Sequence, residues 1–218
     1  MSKSITTSKP PVSRLILLLA GSLLVCTLAA QAADGVRYEA KPLTCKVKIE
    51  GTSTLHDWAM DGSVITGFLL LPPGISLDPA QAAPPGVKGK VDLTVNASIP
   101  VRTVKSGHPK MDEVYLQAMN APEHPRILYH LGELTFKEPH AAGTPLEFDS
   151  KGDLVVNGVT NKITMPVKIE APEKTKLKIS GTIPLKMSAF KVKAPTLIGL
   201  VTTGDDIKIS FEWLVAPK

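Results

Sequence analysis

This 218-residue sequence has little capacity for covalent cross-linking, because it contains only two cysteines, Cys26 and Cys45. Cys26 lies in an apolar N-terminal segment that we expect to be removed, so the remainder would hold one cysteine and no internal disulfide. An exported domain without disulfides must rely on buried apolar surface, and a chain of this length can bury enough. We therefore interpret Cys45 as a small buried hydrophobe rather than as a reactive thiol.

The sequence also lacks the residue patterns on which most enzymes and metalloproteins depend. Its five histidines form neither HExxH nor a Cys/His set at zinc spacing, and it has no phosphate-binding glycine loop and no nucleophile elbow. His56 and Asp57 are adjacent, and such a pair can orient an imidazole for acid–base chemistry. We interpret the pair instead as residues that fix a turn. The sequence thus predicts no catalytic residue, no metal site and no enzyme activity.

Long apolar runs are confined to the N-terminus. Leu15–Leu28 is a run of 14 mostly apolar residues, preceded by Lys3, Lys9 and Arg14 and followed by the small residues around Ala32. This order is typical of a secretory signal peptide, and the run is shorter than the roughly 20 residues of a membrane span. We predict a signal peptide at residues 1–32, one domain at 33–218 and a periplasmic location.

Removal of that segment leaves little net charge. The full chain has a formal charge of +5, and loss of three basic residues leaves +2, from 22 basic and 20 acidic side chains. Domains that bind nucleic acids usually present clustered Lys and Arg. The sequence therefore predicts no nucleic-acid partner.

Alternation of apolar and polar residues is abundant, and it is typical of half-buried strands. Roughly eight or nine such segments are separated by Gly, Pro, Asn and Asp, and Asn157-Gly158 is a strong signal for a tight turn. An antiparallel sheet of this size closes into a barrel or packs as a sandwich, because long open edges aggregate. The clearest segments are 45–50, 91–99, 162–169, 176–180, 183–187 and 207–213, and less regular ones are 63–71, 126–136 and 154–157.

Lys110–Met119 departs from this alternation. Its apolar residues recur at i, i+3, i+4, i+7 and i+8, which places them on one face of a helix. Pro109 suits the first helical position, while Asn120 and Pro122 end the pattern. We expect a short helix near one end of the sheet, either as a lid over a cavity or as a cap on the core.

The inward side of the predicted strands is aliphatic and rich in methionine. A barrel of about eight strands can leave room for one ligand, and this lining would suit an apolar guest. A fully packed interior is the alternative. Strand parity predicts a lining that includes Val47, Ile49, Val95, Ile99, Met165, Met187, Phe211 and Trp213.

Several short motifs occur along the chain in a fixed succession. They are Gly51–Trp58 (GTSTLHDW), Ala97–Thr103 (ASIPVRT), Tyr115–Met119 (YLQAM), His124–Ile127 (HPRI), Gly152–Thr160 (GDLVVNGVT), Ile183–Phe190 and Asp206–Ile209. In this order they resemble the YceI-like family, the lipocalin-like polyisoprenoid-binding proteins of bacterial envelopes. The resemblance implies an all-β fold: an extended, lipocalin-like, antiparallel up-and-down β-barrel of about eight strands. It also implies a long apolar cavity, with the short helix near one end.

The resemblance further implies binding of a long isoprenoid chain, such as that of a quinone, with no cofactor besides this lipid. We expect a periplasmic carrier that acts without catalysis, as a monomer or homodimer in transient contact with membranes. One alternative is a structural or stress-related envelope protein with a filled barrel, and another is an enzyme that uses His56 and Asp57. The motifs and adjoining strands extend the predicted lining to Leu55, Trp58, Phe68, Tyr115, Met119, Ile127 and Phe190.

Overall fold

The computed structural model describes residues 35–197 and 201–218, so the predicted signal peptide at residues 1–32 lies outside the described residues. Most of the described chain is antiparallel strand, in agreement with the alternating segments. The strands are β1 (Val36–Ala40), β2 (Lys46–Ser53), β3 (Trp58–Gly62), β4 (Thr66–Leu71), β5 (Lys90–Val91), β6 (Thr94–Pro100), β7 (Arg126–Phe136), β8 (Leu146–Val156), β9 (Val159–Glu173), β10 (Lys176–Lys186), β11 (Thr196–Leu197) and β12 (Val201–Pro217), and the α-helix is α1 (Pro109–Ala118). Short 3-10 turns follow β6 at Val101–Thr103 and β10 at Met187–Phe190.

Eight strands form a closed antiparallel barrel, which confirms the predicted fold class. Their order around the barrel is β1, β4, β6, β7, β8, β9, β10 and β12, and β12 pairs back with β1 through Val215 opposite Ala40. The ring follows chain order, as in an up-and-down barrel. Asn157 and Gly158 connect β8 to β9 with φ angles of 50° and 72°. Positive φ at both positions is what a type I′ hairpin turn requires, so this predicted turn is also confirmed.

The hairpin of β2 and β3 widens the barrel at one end. The C-terminal part of β12 pairs with β1, whereas its residues 207–212 pair with β2, which in turn pairs with β3. Among the described strands, β3 has no partner on its other side. Instead Asp61 and Lys105 exchange two backbone hydrogen bonds, of 2.7 and 2.8 Å. The segment that leads into α1 therefore completes the wall at this end.

The two ends of the barrel are covered by different structures. The loop 72–89 follows β4 and meets the loop 137–145, where the Gly143 N–H donates to the Pro79 carbonyl oxygen at 2.8 Å. Leu77, which belongs to the first of these loops, is buried with 3% of its surface exposed. Because neighbouring strands are antiparallel, α1, which connects β6 to β7, lies at the opposite end. That end is covered by the helix rather than by packed loops.

Helix α1 begins at Pro109 and ends at Ala118, one residue before the predicted bounds at each end. Asn120 follows in the left-handed region at φ 46°, which stops the helix as the sequence predicts. Asp112 in the first turn accepts hydrogen bonds from the Ser106 N–H at 2.7 Å and hydroxyl at 2.8 Å. This carboxylate anchors the helix to the segment that pairs with β3. Within the described part of the chain, no helix has the length and apolar character needed to cross a bilayer.

Charged side chains occupy the outer face of the barrel and apolar side chains the inner one. The Lys46 Nζ on β2 lies 3.1 Å from a carboxylate oxygen of Glu212 on the neighbouring strand β12. The Lys168 Nζ on β9 lies 2.8 Å from a carboxylate oxygen of Glu147 on β8. Exposed pairs of this kind contribute only about 0–1 kcal/mol each, so the fold depends mainly on its core. Cys45 belongs to that core with 2% of its surface exposed, which confirms its interpretation as a buried hydrophobe.

Several strand bounds differ from the predicted ones, and β1, β3 and β11 correspond to no predicted segment. β10 continues through Gly181, so the predicted segments 176–180 and 183–187 form one strand. The predicted strand 91–99 is divided into β5 and β6, which are separated by Asp92 and Leu93. β8 begins at Leu146, well before the predicted start at residue 154.

Candidate functional site

The interior of the barrel is not fully packed, because it contains a cavity of about 120 Å³. Inward side chains of β2, β4, β6, β7, β8, β9, β10 and β12 form its wall, as strand alternation requires. No Lys, Arg, Asp or Glu is among the lining residues of this inner cavity. The predicted residues that line it are Val47, Ile49, Val95, Ile99, Ile127, Met165, Phe211 and Trp213.

A second cavity, of about 230 Å³, lies at the α1 end of the barrel. This outer cavity shares Ile49, Ile127 and Ile209 with the inner one, so the two adjoin along the barrel. The whole apolar face of α1 lines it, and α1 therefore covers a cavity rather than a filled core. The helix residues in the lining are Met111, Val114, Tyr115, Ala118 and, directly after the helix, Met119.

Fourteen of the fifteen predicted lining residues lie on the wall of one or both cavities. Trp58 is fixed there because its indole N–H donates to the Thr52 carbonyl oxygen at 3.0 Å, and its ring packs over Gly51. That a lipid contacts these side chains stays a prediction. The predicted residues that line only the outer cavity are Leu55, Trp58, Tyr115, Met119, Met187 and Phe190.

Phe68 is the exception, and the prediction that it lines the cavity is wrong. The buried side chains of β4 are Leu69 and Leu71, which places Phe68 on the outer face by alternation. There the Arg37 guanidinium lies 3.7 Å from the centroid of its ring. Phe68 thus belongs to the exterior surface of the barrel.

Three polar side chains in the inner cavity, those of Ser98, Tyr129 and Ser150, are absent from the predicted lining. The hydroxyls of Tyr129 and Ser150 share a hydrogen bond of 2.7 Å, and Ser150 is buried with 3% of its surface exposed. Burial raises the pKa of Tyr129 above its ordinary value. Each hydroxyl satisfies the other, so this pair adds little polarity to the wall. The sequence carries no signal for it, since Ser150 interrupts the apolar alternation of β8.

Two other polar atoms on the cavity walls have no such partner. The Tyr115 hydroxyl in the outer cavity and the Trp213 indole N–H in the inner one are buried without a hydrogen-bond partner among the described residues. Burial also raises the pKa of Tyr115 far above its ordinary value, so its hydroxyl stays protonated and can donate. Both residues line a cavity, but the polar atom of each has less than 1 Å² of accessible surface and is enclosed by protein.

His56 lies exposed at the rim of the outer cavity, and Asp57 is exposed beside it in the chain. The His56 Nδ1–H donates to the backbone carbonyl oxygen of Asp57 at 2.8 Å, so a carbonyl rather than a carboxylate orients the ring. The two residues do form a turn, but the side chain that closes it is Ser53, whose hydroxyl donates to the His56 carbonyl oxygen at 2.7 Å. Across residues 35–197 and 201–218, no group of three or more His, Cys, Asp or Glu side chains is arranged to hold a metal ion.

A sequence model of the YceI-like domain matches residues 74–214, which is more than half of the chain. The chain belongs to the YceI-like family. The match covers β5 to β12 together with α1, so it contains most of the walls of both cavities. The motif at Gly51–Trp58 lies outside the matched residues.

Solved structures share the fold of this YceI-like domain. BcnA from Burkholderia cenocepacia is 18% identical with a TM-score of 0.58, over 80% of this chain and 98% of BcnA. A polyisoprenoid binding domain from Saccharophagus degradans, described as implicated in plant cell wall breakdown, is 12% identical with a TM-score of 0.63, over 84% and 99% of the two chains. The YceI protein of Campylobacter jejuni is 19% identical with a TM-score of 0.50, over 73% and 84%. No curated protein matches in sequence.

Proposed function

We propose that this YceI-like domain is a periplasmic binding protein that carries a long apolar-tailed lipid, such as a polyisoprenoid or a quinone, without catalysis. The observation that carries the proposal is the pair of adjoining apolar cavities, of about 120 and 230 Å³, inside a closed barrel. Ligand sites in proteins are typically concave and apolar with a few placed polar groups. Two cavities in line along the barrel suit a linear chain, and each buried CH₂ group contributes about 0.8 kcal/mol.

The location follows from the N-terminal segment predicted to be a signal peptide at residues 1–32. A lipid that moves through an aqueous compartment between membranes needs its tail shielded from water. A closed barrel with a charged exterior and an apolar interior provides that shield. Delivery and removal of the lipid would occur during transient contact with a membrane.

The two alternative functions have less support. A structural protein with a filled barrel would need large side chains at the inward positions that border the cavities. An enzyme based on His56 and Asp57 would need the carboxylate to orient the imidazole, whereas the backbone carbonyl of Asp57 takes that position. The lipid carrier accounts for both the cavities and the helix that covers them.

Mass spectrometry of lipids extracted from the protein tests the proposal most directly. Protein purified from its native host without detergent should yield a prenyl-tailed lipid in near-stoichiometric amount. A fluorescent prenyl probe should then bind saturably to the delipidated protein and be displaced by the extracted lipid. An extract without lipid, together with no saturable probe binding, would reject the proposal.

A further inference from the structure

The wall of the outer cavity has a weak seam between β3 and the segment that leads into α1. The eight strands of the barrel are joined to one another by ladders of several residue pairs. Among the described residues, the outer edge of β3 instead meets the next segment at one isolated pair, Asp61 and Lys105, through two backbone hydrogen bonds of 2.7 and 2.8 Å. Trp58 and Met60 of β3 line the outer cavity, so a gap at this seam would open directly into it.

Helix α1 is held at its two ends in different ways. Its C-terminal end continues into Met119 and Ala121, which are both buried in an apolar cluster. No residue of the helix itself is fully buried. In the first turn, the Asp112 carboxylate accepts two hydrogen bonds from Ser106 and lies 3.7 Å from the Lys105 Nζ. The helix therefore has its firm anchor at the C-terminal end and only half-buried and polar contacts at the N-terminal end.

A lipid tail that reaches the inner cavity has to pass this helix. The helix lines the outer cavity with its whole apolar face, and the opposite end of the barrel is covered by the loops 72–89 and 137–145. Segments with few buried apolar contacts open locally at a small free-energy cost, and lids often set the rates at which ligands enter and leave. The seam beside the N-terminal end of α1 is therefore the place where this wall opens most easily.

We propose that α1 is a lid that opens at its N-terminal end, and that the backbone hydrogen bonds between Asp61 and Lys105 are the latch that holds it closed. The proposal rests on the proposed function and names the route of the lipid, which passes between β3 and α1. Lys105 and Ser106 move with the helix when the latch breaks, because both contact Asp112. The buried residues after the helix stay in place and form the hinge.

A reversible cross-link across the latch tests this route. Asp61 and Lys105 exchange both hydrogen bonds, so their Cα atoms should lie about 5.5 Å apart, within the range that a disulfide spans. The variant carries Asp61→Cys and Lys105→Cys, with Cys45→Ala to remove the native thiol. The control carries Glu147→Cys and Lys168→Cys in the same background, since these residues are also an exposed acid–lysine pair, but on β8 and β9 near the loop end of the barrel.

Stopped-flow fluorescence measures how fast a fluorescent prenyl probe binds the delipidated protein and how fast excess geranylgeraniol displaces it. In the oxidised latch variant both rates should fall at least roughly tenfold, because the probe no longer passes the seam, and reduction should restore them. The Kd should stay within roughly twofold, since a lid changes the binding and release rates together. The oxidised control should keep the rates of its reduced form.

Lys105→Pro weakens the latch without a thiol. Proline removes the N–H that donates to the Asp61 carbonyl oxygen, and the extended backbone of Val104, at φ −90° and ψ 126°, accepts a following proline. Both rates should rise by roughly 2- to 10-fold, the range for loss of one hydrogen bond, at an unchanged Kd. Lys105→Ala keeps the N–H, so its rates should equal those of the wild type. Thermal unfolding checks that each variant is folded.

Three results would overturn the proposal. They are an oxidised latch variant that exchanges the probe as fast as its reduced form, an equal slowing in the oxidised control, and rates in Lys105→Pro that match those in Lys105→Ala. Each leaves the lipid-carrier function standing, because the probe still binds. Absence of saturable probe binding by the wild type and by the reduced variants would reject the proposed function, and the lid with it.

Discussion

Filling the inner cavity should abolish lipid binding while the barrel stays folded, and Ala97 on β6 is the position best suited to test this. Its side chain lines the cavity between those of Val95 and Ile99. The residue opposite on β4 is Gly67, which has no side chain to obstruct a larger neighbour. The substitution Ala97→Ile adds three carbon atoms to the wall, and a β-branched residue fits a strand.

The energetic effect on the ligand-free protein should be small. An empty cavity of about 120 Å³ costs up to about 3 kcal/mol at about 24 cal/mol per Å³. Three added carbons recover about 2 kcal/mol of this by burial, while overpacking strain opposes it by about 1–3 kcal/mol. We therefore expect a free energy of unfolding within about 1 kcal/mol of that of the wild type, in either direction.

Ligand-linked stabilisation gives the decisive difference. At a concentration of geranylgeraniol equal to about 100 Kd, the wild type should gain about 2.7 kcal/mol, whereas Ala97→Ile should gain almost nothing. Urea denaturation with and without the lipid measures both gains. The control is Ala141→Ile, which makes the same change in the exposed loop 137–145 and should retain the full gain. Equal gains in the wild type and in Ala97→Ile would refute the proposal that the bound lipid extends into the inner cavity.

Three further substitutions test the turn, the helix anchor and the outer face. Gly158→Ala should lower the free energy of unfolding, measured in urea, by about 1–3 kcal/mol, because φ is +72° and the new Cβ would lie 2.5 Å from the His124 ring. A free energy of unfolding equal to that of the wild type within experimental error would contradict this. Hydrogen bonds from the loop before α1 lower the pKa of the Asp112 carboxyl group below its ordinary value of 3.8. The ionised carboxylate therefore contributes fully to the free energy of unfolding above pH 3.8, and this contribution is lost as the pH falls through the pKa of the folded state. The stability difference between the wild type and Asp112→Asn should therefore be constant from about pH 8 to pH 5 and shrink below about pH 4, and the absence of a difference at neutral pH would argue against the anchor. Phe68→Ala should leave the affinity for the prenyl probe unchanged, whereas Ile209→Ala, in the wall shared by both cavities, should weaken it; equal losses would place Phe68 in the site after all.

Alternation predicted the barrel well wherever the inward residues are large and apolar. β12 shows this, because Ile207, Ile209, Phe211 and Trp213 alternate with polar residues and all four line a cavity. The first half of β8 shows the opposite case. Its inward positions include Ser150 and Gly152, so the apolar period is lost although the strand is regular.

The packing around Gly152 also explains why the alternating pattern does not show that this position requires glycine. A Cβ at Gly152 would lie 2.3 Å from the His130 carbonyl oxygen and 2.7 Å from the Tyr129 hydroxyl. Tyr129 is distant along the chain, and its ring occupies the space that a side chain would need. The requirement for glycine is therefore imposed by tertiary packing, which a local pattern does not contain.

Strand parity placed most of the predicted residues on the cavity walls, and it failed where the sequence has no contrast between apolar and polar residues. Phe68, Leu69, Leu70 and Leu71 are consecutive and all apolar, so the sequence does not distinguish the inner from the outer face of β4. The unpartnered hydroxyl of Tyr115 lay beyond prediction for another reason. Whether a buried donor has a partner depends on every neighbour in space, and the sequence gives only the neighbours along the chain.

Small inward residues weaken the alternating sequence pattern, and the same residues line the inner cavity. Ala97 and Ser150 both line the inner cavity, and each stands where a larger apolar residue would make the alternation stronger. The same larger residues would also occupy the space between the barrel walls, as a filled interior requires. Regular alternation would therefore have marked a more stable and fully packed barrel. Its interruption at these positions is the sequence counterpart of the empty volume that a ligand can use.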